Sequence, residues 1–123
     1  MKTCLIVDDS AVIRKIIRQT MEELGFVCDE AENGEIARLY CQSQKPRLIM
    51  LDWNMPIMTG IEFLKALRAM DRGGDPIVIF CTTENDMNHI EMALTAGAND
   101  FIMKPFDKDI MRSKLEQNNL IEQ

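Results

Sequence analysis

Four apolar residues in a row, Leu48-Ile49-Met50-Leu51, run straight into a lone carboxylate, Asp52, and then into Trp53-Asn54-Met55-Pro56. A short uninterrupted apolar run bounded by turn signals suits a strand covered on both faces. Pro56 fixes its own φ and offers no donor, so it enforces the turn. Asp52 then stands where the strand leaves the sheet. A carboxylate at the mouth of a buried strand needs a chemical reason, and a nucleophile that becomes phosphorylated is one.

The same grammar repeats along the chain. Cys4-Leu5-Ile6-Val7 reads as a first strand ending at Asp8-Asp9. Ser10 can cap a helix whose apolar positions are Val12, Ile13, Ile16, Ile17, Met21 and Leu24, with Gly25 as its stop. Phe26 to Ala31 is a more polar strand, interrupted by Asp29 and Glu30 as an edge strand would be. Asn33 caps a second helix with Ile36, Ala37, Tyr40 and Cys41 on its apolar face, and Pro46 breaks the chain before the third strand. Thr59-Gly60 opens a third helix with Ile61, Leu64, Leu67 and Met70 inward. The breaker cluster Arg72-Gly73-Gly74-Asp75-Pro76 leads into a fourth strand, Ile77 to Cys81, ending at Thr82-Thr83. A fourth helix covers Met87 to Ala96 and stops at Gly97. Phe101-Ile102-Met103 is a short fifth strand ending at Lys104-Pro105, and a fifth helix runs from Asp107 to Asn118. The tail from Asn119 to Gln123 is expected to fray.

Five strand-then-helix units, with strands one, three and four apolar throughout, build an α/β fold: a parallel sheet with helices on both faces. The length suits one domain, residues 1–123. Apolar residues make up 46% of the chain and charged residues 28%, as in a soluble globular protein. No apolar run approaches the ~20 residues of a membrane span. There is no signal-peptide pattern. The formal charge of −6 argues against direct nucleic-acid binding. Cys4, Cys28, Cys41 and Cys81 fit neither a zinc site nor a CxxC pair, and read as small buried hydrophobes in a reducing cytoplasm. His89, the single histidine, has no second ligand near it in sequence and reads as a solvated helix residue. Met87 and Met92 read mainly as packing, with an adaptable binding face on the fourth helix as the alternative.

Ligands in such folds bind beyond the carboxyl ends of the strands. The first strand delivers Asp8 and Asp9 there, the third Asp52, the fourth Thr82 and the fifth Lys104; the second delivers nothing comparable. Two carboxylates ~4 Å apart repel by ~4 kcal/mol at an effective dielectric of 20. Such a cluster protonates or binds a cation, and hard oxygens with room for water suit Mg²⁺. With the metal and Lys104 neutralising a phosphoryl group, and Thr82 donating to one of its oxygens, Asp52 could attack in line to give an acyl phosphate. Taken singly, each acid reads as a cap or loop residue, Lys104 as a surface charge and Thr82 as a turn former. Their convergence on one sheet edge carries the signal.

These residues resemble the receiver domains of two-component response regulators, over essentially the whole chain and nearest in pattern to the single-domain chemotaxis type. The matching stretches are Val7-Asp8-Asp9-Ser10, Asp52-Trp53-Asn54-Met55-Pro56, Met58 with Gly60, Thr82, Ala96-Gly97-Ala98 and Lys104-Pro105-Phe106. The resemblance implies a doubly wound, flavodoxin-like sheet of order 2-1-3-4-5 and a cis Lys104-Pro105 bond. It implies that Asp52 accepts phosphate from a sensor histidine kinase or a histidine phosphotransfer protein. Mg²⁺ would be held by Asp9, Asp52 and the backbone carbonyl of Asn54, with Asp8 acting through water. Thr82 and Lys104 would contact the phosphoryl group. Thr82 would then shift, Phe101 would turn inward, and the face of helix four, strand five and helix five would bind a downstream protein. The implied protein is no independent enzyme, lives in the cytoplasm and is a monomer or a weak phosphorylation-dependent dimer.

This chain departs from the family pattern at Thr83, which replaces a small residue, and at Arg47, where many relatives carry an acid. Phe101 lacks a tyrosine's hydroxyl, and Asn54 and Glu84 occupy positions that tune the lifetime of the acyl phosphate. Three other readings stand beside this one. The chain could be the receiver portion of a longer regulator. A haloacid dehalogenase-type phosphatase would need an acid where Asn54 stands. A flavodoxin-like flavin binder would need a Ser/Thr/Gly-rich loop where Asp8-Asp9 stands.

Overall fold

Apolar strands joined through amphipathic helices give here a sheet in which every pairing is parallel. The strands are β1 (Thr3–Val7), β2 (Val27–Ala31), β3 (Leu48–Asp52), β4 (Ile77–Thr82) and β5 (Asp100–Met103). They alternate with α1 (Ala11–Glu23), α2 (Gly34–Ser43), α3 (Gly60–Arg68), α4 (Met87–Ala96) and α5 (Lys108–Gln117). The sheet order is β2-β1-β3-β4-β5, as expected. The computed structural model describes residues 2–53, 55–82 and 87–122, apart from the side chains of Met87 and Asn88.

Alternate residues of each strand feed two separate cores. Leu5 and Val7 of β1, with Ile49 and Leu51 of β3, pack on the side of α2, α3 and α4, against Ala37, Cys41, Phe63, Leu64, Leu67 and Ala93. Cys4, Ile6, Leu48 and Met50 pack on the other side against α1 and α5, through Ile17, Met21, Met111 and Leu115. This period-two division explains why the inner strands read as unbroken apolar runs. All four cysteines are buried free thiols.

The helix starts follow local chemistry. Ser10 Oγ accepts from Ile13 N, Asn33 Oδ1 from Ile36 N and Asp107 Oδ1 from Ile110 N, each satisfying a first-turn donor. Thr59 and Glu62 form a reciprocal capping box at α3. At the far end of α3, Arg68 gathers two loops. Its guanidinium donates to the carbonyls of Gly73, Pro76 and Gly97 and to Asn99 Oδ1.

Three expectations are corrected. Val12 and Ile16 of α1 point to solvent, 69% and 53% exposed, so the buried stripe of α1 is narrower than its apolar content. Ile36 of α2 is likewise exposed. The tail does not fray at Leu120, which is 2% exposed and joins the α1–α5 core, with Ile121 packed against it. The Leu120 amide donates back to the Leu115 carbonyl at 2.9 Å, which turns its side chain onto that core. The Lys104-Pro105 bond is cis.

Candidate phosphorylation site

The parallel register places the carboxyl ends of four strands side by side. Val7 is level with Leu51, Asp52 with Cys81 and Thr82 with Met103. Asp8 and Asp9 therefore leave β1 beside Asp52 at the tip of β3. One carboxylate oxygen from each of Asp8, Asp9 and Asp52 lies within 4.8 Å of the others. Lys104 arrives from β5, and its amide donates to the carbonyl of Thr82 at 2.7 Å. Its Nζ donates to Asp8 Oδ2 at 2.8 Å and to Asp52 Oδ1 at 3.1 Å. Asp8 is buried, Asp9 is exposed and Asp52 lies between. The second oxygen of Asp8 accepts from Ser10 N at 2.9 Å, which fixes the carboxylate in the plane it presents to the others.

The electrostatics follow from this crowding. Loss of water pushes the Asp52 carboxyl above its ordinary range; Lys104 opposes that and Asp8 adds to it. Burial alone would pull the Lys104 ammonium down, but its bond to Asp8 and the charges of Asp52 and Asp8 outweigh burial and raise it. Three carboxylates face one ammonium, so the cluster holds two uncompensated negative charges when ionised. Hard oxygens, an open side at Asp9 and a net negative charge fit a small divalent cation.

Thr82 is buried at the end of β4. Phe101 is half-buried, packed at the margin of the α2–α3–α4 core, with Lys114 Nζ 4.8 Å from its ring centre. Lys114 also pairs with Asp100 at 2.9 Å. Asn54, Thr83 and Glu84 lie outside the described residues. His89 is not a solvated helix residue: its ring is half-buried and stacks on Trp53, with centroids 4.0 Å apart and planes 25° apart. Trp53 in turn meets Phe80 edge-on at 5.7 Å. The aromatic surface beside Asp52 captured the imidazole.

Sequence reasoning missed Arg14. Its Nη1 donates to the backbone carbonyl of Asp8 at 2.7 Å, and its Nε to Glu30 at 2.9 Å. An arginine on the polar side of α1 carries no signal of this kind, because both partners are distant in sequence or belong to the backbone.

Residues 4–116 match the response regulator receiver domain. The chain belongs to the response regulator receiver family. A chemotaxis protein CheY homolog from Campylobacter jejuni is 40% identical to this receiver over 114 residues, covering 91% of this chain and 88% of its own. The structure of chemotaxis protein CheY4 from Vibrio cholerae superimposes with a TM-score of 0.89 at 31% identity, covering 95% of this receiver and 98% of that chain. The receiver domain of a sensor histidine kinase from Pseudomonas aeruginosa superimposes with a TM-score of 0.87 at 25% identity, covering 94% and 95%. That protein has a magnesium ion coordinated in its active-site cleft. This receiver is thus a component of two-component signalling, a class that takes phosphate from histidine kinases and acts by binding downstream targets. CheY-type receivers are signalling proteins rather than enzymes in the usual sense. The phosphatase and flavin-binder readings fall with that membership. Among the described residues no helix is long and apolar enough to cross a membrane.

Proposed function

We propose that Asp52 is the phosphoacceptor of this receiver and that residues 1–123 form one response regulatory domain around it. The observation that carries the reading is the single ammonium of Lys104 touching both Asp8 and Asp52, while Asp9 closes the carboxylate cluster. A carboxylate oxygen of Asp52 attacks the phosphorus of a phosphohistidine in line. The O–P bond forms as the N–P bond breaks, and the imidazole nitrogen keeps the electron pair. Lys104 then turns its donors from the carboxylates to a phosphoryl oxygen, and the Thr82 hydroxyl donates to another. Asp9, Asp52 and the Asn54 carbonyl would hold Mg²⁺, with Asp8 acting through water. Mg²⁺, when bound, supplies the positive charge that lets a phosphoryl group enter an acidic site.

The donor is a sensor histidine kinase or a histidine phosphotransfer protein in the cytoplasm. The receiver assists its own phosphorylation and dephosphorylation and turns over no separate substrate. Phosphate adds roughly −1.5 to −2 charges beside Thr82. Thr82 moves toward it, Phe101 turns into the space, and the α4–β5–α5 face changes its population of binding-competent states. Leu94 and Ile110 are exposed apolar contacts on α4 and α5 for a downstream protein. The receiver is monomeric or pairs weakly when phosphorylated.

Incubation with acetyl phosphate and Mg²⁺, followed by intact-mass measurement, tests this. Wild type should gain the mass of one phosphoryl group, and chelation of Mg²⁺ or Asp52→Asn should abolish the gain. Equal labelling of Asp52→Asn would assign the phosphate elsewhere.

A further inference from the structure

Asp8 and Asp9 stand on the short loop between β1 and α1, and the backbone of Asp8 is held at both ends from the β2 side. Its N–H donates to the Ala31 carbonyl at 3.1 Å. Its own carbonyl accepts from Arg14 Nη1 at 2.7 Å. Arg14 is not free to choose that position. Its Nε donates to Glu30 Oε1 at 2.9 Å, and the other Glu30 oxygen takes Arg18 Nη1 at 2.8 Å. The Arg14 side chain is only 15% exposed. The edge strand β2, which offers nothing to the cluster directly, thus reaches it through Glu30 and Arg14.

We infer that Arg14, locked by Glu30, is a positioning residue that aims Asp8 and Asp9 and thereby sets the affinity of the acidic cluster for a divalent cation. The inference rests on the phosphoacceptor reading of that cluster. A guanidinium holds its donors in one rigid plane, so two bonds from it fix the Asp8 carbonyl relative to β2. Rotation of the peptide after Asp8 would swing Asp9 and strain the Ser10 N–H bond to Asp8 Oδ1. Mg²⁺ accepts little departure from octahedral geometry, so a loosened loop loses affinity. Groups that orient metal ligands without touching the ion typically change affinity about 10–100-fold when removed.

Charge and position predict opposite signs, which makes the test decisive. Arg14 is a cation beside an anionic cluster, so losing its charge alone would tighten Mg²⁺ binding. Losing the brace weakens it. Mg²⁺ affinity is measured by calorimetry on wild type, Arg14→Met, Arg14→Lys and, as a control, Arg18→Met, which removes a similar cation from the same Glu30 without touching Asp8. The expected result is about tenfold weaker binding for both Arg14 variants and a change under about twofold for Arg18→Met. Arg14→Lys keeps the charge and loses the fork, so it decides the matter should Arg14→Met fail to fold. Hydrogen exchange of the Ser10 amide in metal-free protein supplies a second readout, and it should quicken in both Arg14 variants while the β3 amides stay protected. Unchanged or tighter Mg²⁺ binding by the folded Arg14 variants overturns this role and leaves the phosphoacceptor reading intact. A wild type that neither binds Mg²⁺ nor accepts phosphate overturns both.

Discussion

Arg68 closes on the carbonyl of Gly97 with two nitrogens, Nε at 3.0 Å and Nη2 at 2.8 Å. The contact is possible because Gly97 has a φ of +117° and no side chain; a Cβ there would lie 2.8 Å from Arg68 Cγ. The same guanidinium bonds the Gly73 and Pro76 carbonyls, so it ties the loop before β4 to the loop before β5.

Gly97→Ala should therefore cost about 2 kcal/mol, from the positive φ and the displaced arginine together. Arg68→Lys should cost about the same, because an ammonium cannot serve three carbonyls in a plane. The two changes break one assembly, so the double variant should lose less than the sum. Urea denaturation reads all three, and strict additivity would show that the residues act apart.

Asp52 should destabilise the metal-free protein at neutral pH. Its carboxyl is raised above the ordinary 3.8, so the folded state holds that proton more tightly than the unfolded chain does. The stability this gives is full below the ordinary range and is lost as pH rises through the folded value. Asp52→Asn should then be more stable than wild type at pH 7 without metal, because the amide carries no charge to strip of water or to set against Asp8. The advantage should shrink as pH falls toward 3.8 and when Mg²⁺ is added to wild type. Equal melting temperatures across that range would remove the argument.

All four thiols are buried and should be silent in the folded protein. Burial pushes Cys41 up to about 11 and Cys81 up to about 12, and neither presents a thiolate at pH 8. Ellman's reagent should label native protein only as fast as it opens, and label four thiols at once in denaturant. A burst of labelling under native conditions would contradict this burial.

Leu120→Ala tests the docked tail. A fully buried leucine truncated to alanine should cost about 3 kcal/mol. A frayed tail, as local sequence alone suggests, would make the change nearly neutral.

Much of the site was legible because it rests on strand ends. Asp8, Asp9, Asp52, Thr82 and Lys104 follow apolar runs whose period and length are local properties, and a parallel sheet brings those four strand ends to one edge. Ser10 and Asn33 were legible as caps, and Thr59 as the opening of α3, for the same local reason. What escaped depends on contacts between distant segments. The Arg14–Glu30 pair spans sixteen positions and the Arg68–Gly97 contact spans twenty-nine. Leu120 is buried only because it packs with residues of α1 and of distant strands in the α1–α5 core. His89 meets Trp53 only because α4 starts beside the tip of β3. Val12 and Ile16 show the opposite error, since apolar periodicity marks a face without saying that anything covers it.

The two cores described above sit on opposite faces of the sheet, with α4 seated on one and α5 on the other. The surface these helices share with β5 is therefore a seam where two independently packed layers meet across an edge strand. A protein that grips α4 and α5 together works as a caliper laid over that seam. It registers any slippage of one layer against the other, even when each layer keeps its own internal packing unchanged.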